Sequence, residues 1–123
     1  MAEEAYATMT VDTFFAWQEQ RDELYELVDG MPLQMMSGAR NRHDQITVNL
    51  IVESGTRLRG KSCQPMTQDT GVKISNRQVR RADMTINCGP IIDDSFVASE
   101  PRAVFEVLSP STSRSLFPGR SCA

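Results

Sequence analysis

The sequence predicts a single α/β domain of the α+β type, in which helices pack against a β-sheet. Three observations support this prediction. Two segments have apolar residues at helical spacing, several shorter segments have the composition of β-strands, and 123 residues are enough for one hydrophobic core but not for two. Hydrophobic residues make up 40% and charged residues 24% of the chain, which are ordinary globular values and exclude wholesale disorder.

The two predicted helices carry start and stop signals. Thr10 is a candidate N-cap for a helix from Val11 to about Gln20, with its apolar stripe on the core and its acidic face towards solvent. A longer helix is predicted from Arg42 to Leu58, and a glycine two residues later is its natural stop.

Short β-like segments make up most of the remaining chain. Two of them, residues 24–28 and 33–36, flank Asp29-Gly30 and are expected to form a hairpin. Four more are separated by turn residues, and they are 63–67, 71–75, 79–87 and 102–108. Together with the helices they predict a mixed sheet flanked by helices, in an α+β or a three-layer α/β arrangement.

Charge, hydropathy and cysteine content restrict the class of protein. A net charge of -3 argues against coating nucleic acid by bulk electrostatics, although a local basic strip could still bind it. The chain has no long apolar segment and opens with acidic residues, so we expect a cytoplasmic protein that does not enter membranes. Cys63, Cys88 and Cys122 lack the close spacing of a zinc or redox site, and we expect reduced thiols.

Two carboxylates stand out in the predicted sheet. Asp83 lies where segment 79–87 turns from basic to apolar, and it shares a strand face with Arg81 and Thr85 because strand side chains alternate. Glu106 is expected to leave the last predicted strand amid apolar neighbours, where an ionised carboxylate costs roughly several kcal/mol unless it is compensated.

Two interpretations of Glu106 remain open. In the first, Glu106 pairs with Arg80, Arg81 or Arg102, or caps the following loop, and serves only to fix that loop. In the second, Asp83 and Glu106 lie on neighbouring strands and share a divalent cation, most simply Mg²⁺, whose other ligands are water and phosphate oxygens. Such an ion polarises a phosphodiester and lowers the pKa of a bound water, which hydrolysis requires.

Several strings between residues 8 and 112 carry a resemblance to a known family. They are, in order, MTVDTFFAW, YELVDGMP, RNRHDQITVNL, ADMTI followed by CGP, and VFEVLSPST. Their order and spacing are similar to the Uma-two (Uma2) family of restriction endonucleases, a branch of the PD-(D/E)XK nuclease superfamily. The most specific part is EVLSPST downstream of YELVDG, and one departure is Ala82, where the family usually has proline.

The resemblance implies a restriction-endonuclease-like core that hydrolyses DNA with Mg²⁺ or Mn²⁺. Asp83 and Glu106 correspond to the two acidic metal ligands of the family. Glu26 falls in the segment similar to YELIDG, as a further catalytic ligand or as the structural partner of an arginine. His43 matches a histidine often seen in the family, as a catalytic group or as a packed residue. DNA is the expected substrate, and a homodimer is a candidate assembly.

Basic side chains elsewhere are candidates for contacts with phosphates, or else form a solvated face. They are Arg57, Arg59, Lys61, Arg77, Arg80 and Arg81. The wider superfamily has a lysine two residues beyond the glutamate, but this chain has Leu108 there. In the family that this chain resembles, that lysine is expected on a following helix, and Lys73 or Arg120 is a conceivable substitute.

The end of the chain departs from the family pattern. We expect a flexible N-terminus (1–9), a truncated endonuclease-like domain (10–112) and an irregular tail (113–123) that has Pro-Gly where a lysine-bearing helix is expected. A frameshift is our hypothesis for this loss of the C-terminal helix and strand, and it predicts reduced stability and little or no nuclease activity. The alternative function is a non-catalytic nucleic-acid-binding or protein-interaction module that retains the fold.

Overall fold

The computed structural model describes residues 8–36 and 38–108. Its helices are α1 (Val11–Gln18) and α2 (Asn41–Leu58). Its strands are β1 (Tyr25–Val28), β2 (Met31–Gln34), β3 (Gln64–Met66), β4 (Val72–Ser75), β5 (Gln78–Arg80), β6 (Met84–Asn87) and β7 (Pro101–Phe105). The predicted tail, 113–123, and most of the predicted flexible N-terminus, 1–9, lie outside the described residues.

Helix α1 begins where the sequence predicts. The Thr10 side-chain oxygen accepts a hydrogen bond from the backbone N–H of Thr13 at 3.4 Å, which satisfies one of the free donors of the first turn. The buried side chains of the helix are Val11, Phe14 and Phe15. The apolar stripe therefore faces the core as predicted, and the helix ends two residues earlier than expected.

The first sheet contains the predicted hairpin and has the strand order β2-β1-β5-β4. Asp29 and Gly30 form its turn with positive φ angles of 51° and 81°, a conformation that glycine adopts at little cost. A Cβ atom at Gly30 would lie 2.9 Å from the Thr8 Cβ, so a larger residue would clash there. Leu27 and Val79 pair across β1 and β5, are fully buried, and form the core with α1.

The second sheet has the strand order β3-β6-β7, and α2 packs against β3 and β6. The register places Pro65 opposite Ile86, and Pro65 lies beside Gly55 of the helix. Strand β7 forms the edge of this sheet in the described part of the chain, and all five of its residues are exposed. The start of β6 and the end of β7 therefore meet at one open end of the sheet.

The α+β class is confirmed, but the strand arrangement differs from the prediction. The strands form two antiparallel sheets rather than one mixed sheet, apart from an isolated parallel bridge between Gly71 and Val97. The predicted strand 79–87 is two strands, because the chain leaves the first sheet after β5 and enters the second at β6. Segment 81–83 is this crossover, so Asp83 does not share a strand with Arg81 and Thr85 as expected.

The expectation of reduced thiols is wrong for two of the three cysteines. Cys63 and Cys88 form a disulfide across the β3–β6 pair. The register explains the contact, because Gln64 pairs with Asn87 and the two cysteines occupy the next position outward. Their separation of 25 residues hides this proximity from spacing rules, and Cys122 lies outside the described residues.

Reduction of this disulfide is expected to lower the free energy of unfolding by about 3–4 kcal/mol. The chain-entropy model assigns a stabilisation of that size to a cross-link that closes a loop of 25 residues. Urea unfolding with and without a thiol reductant measures the difference, and Cys63→Ser should reproduce the effect of the reductant and become insensitive to it. An unchanged midpoint under reductant would show that the cross-link does not stabilise the fold.

Candidate functional site

Asp83 and Glu106 occupy neighbouring positions at the open end of the second sheet. Asp83 immediately precedes β6, and Glu106 immediately follows β7. The antiparallel register pairs Met84 with Phe105 and Thr85 with Val104, so the next pair in the same register is Asp83 and Glu106. Residues directly opposite each other in such a ladder have Cβ atoms about 4.5–5.5 Å apart and lie on one face. The register therefore brings the two predicted acids together.

The Asp83 carboxylate is contacted from the segment after β7 and from helix α2. The backbone N–H of Val107 donates a hydrogen bond to Oδ2 at 2.7 Å, which ties the segment after β7 to the crossover. The imidazole Nε2 of His43 lies 3.3 Å from the same oxygen. His43 belongs to the first turn of α2, and the two side chains are 21% and 16% exposed. The predicted histidine thus reaches the predicted aspartate.

Glu106 is more exposed than the sequence predicts. Strand β7 ends at Phe105, so Glu106 is not enclosed between apolar neighbours within a strand, and its side chain reaches solvent. The pKa of its carboxyl group is nonetheless raised, first by partial burial and then by the negative charge of Asp83. A hydrogen bond from the backbone N–H of Asp83 opposes these two effects and lowers it, while the charge of Glu26 and a hydrogen bond between the two carboxyl side chains raise it by smaller amounts. Glu106 therefore lies in a field of like charge.

Glu26 adjoins this pair from the first sheet. Its side chain is 13% exposed, and Oε2 accepts a hydrogen bond from the backbone N–H of Arg81 at 2.7 Å. The Arg80 Nε lies 3.4 Å from the same oxygen. Of the two predicted roles for Glu26, the structural partner of an arginine agrees with these contacts. Its effect on the Glu106 pKa keeps Glu26 within the electrostatic reach of the site.

The structure excludes the predicted pairing of Glu106 with an arginine of the described region. Arg80 contacts Glu26, and Arg102 lies 3.8 Å from Glu100. Arg81 is buried and donates to three backbone carbonyl oxygens, those of Tyr25, Gln68 and Asp69. Because it is buried, Arg81 also cannot be the phosphate contact that the sequence suggests. Desolvation lowers its pKa, while the charges of Asp69 and Glu26 raise it.

The donor set fits a hard divalent cation with few protein ligands. Residues 8–36 and 38–108 contain no group of three or more His, Cys, Asp or Glu side chains that could hold a metal ion. Asp83 and Glu106 are a pair, and Mg²⁺ is usually bound by one or two carboxylates with waters and substrate phosphates completing its octahedron. Carboxylate oxygens suit Mg²⁺ and Mn²⁺. A divalent cation bound between two neighbouring carboxylates would also reduce the electrostatic repulsion between them.

The position of the expected catalytic lysine is not filled by Lys73. Lys73 lines a cleft with α1 and residues 95–97. No member of the carboxylate cluster, which consists of Asp83, Glu106 and Glu26, lines that cleft. Arg120 and the loop after Leu108 lie outside the described residues. His43 and the Val107 N–H contact Asp83, and Arg80 contacts Glu26. Of these, the Val107 N–H was not identified from the sequence, because its role depends on the β6–β7 register.

The chain matches a model of a known protein family. The model of the Uma2 family, described as putative restriction endonucleases, matches residues 11–117. No curated protein and no solved structure matches the chain. Neither of the two described helices is long and apolar enough to cross a membrane.

Proposed function

The chain belongs to the Uma2 family of restriction-endonuclease-like proteins, and from this premise we propose that it is a metal-dependent endonuclease acting on DNA. The observation that carries the proposal is the placement of Asp83 and Glu106 opposite each other just beyond the β6–β7 pairing, with the pKa of Glu106 raised by partial burial and then by the charge of Asp83. Two neighbouring acids repel each other when no cation is bound. A cation that both of them bind stabilises their ionised forms.

Each residue of the cluster has a distinct role in this proposal. Asp83 and Glu106 would hold Mg²⁺ or Mn²⁺, which supplies polarisation of the phosphodiester and a more acidic bound water. His43 fixes the Asp83 carboxylate through Oδ2, and the Val107 N–H does the same from the segment after β7. Glu26 pairs with Arg80, whose half-exposed guanidinium can contact a DNA phosphate.

We expect cleavage to be slow. The described residues place no lysine beside the two acids, and loss of one group that stabilises developing charge costs about 10²–10³-fold in rate in other hydrolases. Exposed arginines elsewhere add little to the positioning of DNA at the two acids. Arg57, for example, pairs with Glu53 on the solvent side of α2. This expectation agrees with the low activity inferred from the sequence, and robust cutting would refute it.

One observation favours the alternative function, a non-catalytic module that binds nucleic acid or protein. It is the lack of a third His, Cys, Asp or Glu ligand in the described part of the chain. A module of this kind should be indifferent to divalent ions, whereas an endonuclease needs them at the acids.

Nicking of supercoiled plasmid DNA tests the proposed function. With Mg²⁺ or Mn²⁺ we expect slow conversion to the relaxed form, and we expect a chelator to stop it. DNA binding that is unaffected by chelator, without any nicking at high enzyme concentration, would contradict the endonuclease and support the binding module.

A further inference from the structure

The crossover that carries Asp83 has no sheet ladder to hold it. Residues 81–83 lie between β5 of the first sheet and β6 of the second, outside both sets of strand pairings. A residue in a strand is fixed by its ladder hydrogen bonds, whereas a residue in a connecting segment needs other anchors. Asp83 must nonetheless be held within a fraction of an ångström to bind a cation together with Glu106.

Arg81 anchors this crossover on several sides. Its Nε donates to the Tyr25 carbonyl oxygen at 2.7 Å, and its Nη1 donates to the carbonyl oxygens of Asp69 at 2.7 Å and Gln68 at 3.2 Å. Its own backbone N–H donates to Glu26. The residue is 4% exposed, so these bonds form away from bulk water. One side chain thus ties the crossover to β1 and to the turn before β4.

We propose that Arg81 is a positioning residue that fixes Asp83 for its contacts with Val107, His43 and a bound cation. The cation part of this inference rests on the proposed function, but the positioning of Asp83 does not. The forked guanidinium reaches carbonyl groups on two separate segments at once, which a lysine ammonium cannot do with the same fixed geometry. Hydrogen bonds from a charged donor are also stronger than neutral ones. Release of Arg81 should therefore free the crossover and move Asp83.

Amide hydrogen exchange at Val107 reports on the position of Asp83 without any metal. The Val107 N–H is protected by its 2.7 Å bond to Oδ2, and this bond breaks if the carboxylate moves. In Arg81→Lys we expect Val107 to exchange at least about 10-fold faster, as for a local opening. The Phe14 N–H, which donates to the Thr10 carbonyl at 2.8 Å in the core, should keep its wild-type rate.

Arg102→Lys is the matched control. Arg102 is an exposed arginine on β7 that contacts Glu100, and its replacement should leave the Val107 rate unchanged. Wild-type protection of Val107 in Arg81→Lys would overturn the proposal. Equal acceleration at Val107 and Phe14 would overturn it too, because Arg81 would then stabilise the whole fold rather than place Asp83.

A measurement on the wild-type protein covers the case in which Arg81→Lys does not fold. If Arg81 holds Asp83, one local opening exposes both the Arg81 Nε–H and the Val107 N–H, and their protection factors agree. A protection factor for the Val107 N–H about 10-fold or more below that of the Arg81 Nε–H would contradict the proposal.

The same variants separate this inference from the proposed function. For a folded Arg81→Lys we expect Mg²⁺ affinity by calorimetry to fall about 10–100-fold, as when residues behind metal ligands are changed. If the wild-type protein shows no Mg²⁺ binding, the proposed function fails, while the Val107 exchange rate still decides the role of Arg81.

Discussion

Asp83→Asn is expected to abolish Mg²⁺ binding and metal-dependent nicking while leaving the fold intact. Asparagine keeps the shape of the side chain, and its carbonyl oxygen can still accept the hydrogen bond of the Val107 N–H. It removes the negative charge, which is what binds the cation. We expect the affinity and the nicking rate to fall by at least about 100-fold, because even residues behind metal ligands cost about 10–100-fold when they are changed.

The matched control for this variant is Asp94→Asn. Asp94 lies in an exposed turn outside the carboxylate cluster, so its replacement changes the net charge by the same amount at a distant place. Calorimetric titration with Mg²⁺ and plasmid nicking should give wild-type values for this control. Equal losses in both variants would mean that bulk charge, and not a specific site, attracts the cation.

Glu106→Gln is expected to raise the thermal stability of the metal-free protein at neutral pH. Partial burial and the charges of Asp83 and Glu26 raise the pKa of Glu106 above its ordinary value of 4.5. The folded protein therefore binds a proton that the unfolded chain has lost, and the free energy of unfolding falls as pH rises from about 4.5 through the raised pKa. Glutamine removes this repulsion, so the midpoint of the variant should exceed that of wild type by a few degrees.

Thermal melts in chelator across pH 4–8 check the sign of this effect. The difference between Glu106→Gln and wild type should be small near the ordinary carboxyl pKa, grow as pH rises, and then level off. Added Mg²⁺ should raise the midpoint of wild type by mass action but not that of the variant. Glu100→Gln, an exposed glutamate beside Arg102, serves as control. A Glu106→Gln variant that is less stable at pH 7 without metal would contradict the repulsion.

The helices and the hairpin could be predicted because their signals are local. The Thr10 cap and the Asp29-Gly30 turn each depend on residues within a few positions of one another. The class of fold follows from such elements. Asp83 and Glu106 could also be selected as candidates from the sequence, since Asp83 lies where a segment turns from basic to apolar and Glu106 has apolar neighbours on both sides.

Features that depend on distant contacts could not be predicted in the same way. The break between β5 and β6 coincides with Arg81, whose partners lie 12 to 56 positions away along the chain. The disulfide and the Val107 N–H contact depend on strand register, which periodicity does not reveal. The exposure of Glu106 depends on the residue at which β7 ends, and the end of a strand is difficult to locate from the sequence alone.

The surroundings of Glu106 destabilise its ionised form in the absence of a cation. Partial burial raises the pKa of Glu106, and so do the negative charges of Asp83, which faces it just beyond the β6–β7 pairing, and of Glu26. The proposed cation gives a physical reason for the arrangement, because it converts the repulsion into binding energy.

Diffraction from crystals soaked in Mn²⁺, recorded near the Mn absorption edge, shows directly whether Asp83 and Glu106 bind one cation together. We predict one anomalous peak that lies about 2.0–2.2 Å from a carboxylate oxygen of Asp83 and also from a carboxylate oxygen of Glu106. A peak that contacts only one of the two carboxylates would contradict the shared cation site. So would a structure at saturating Mn²⁺ that has no peak and in which the two carboxylates lie apart.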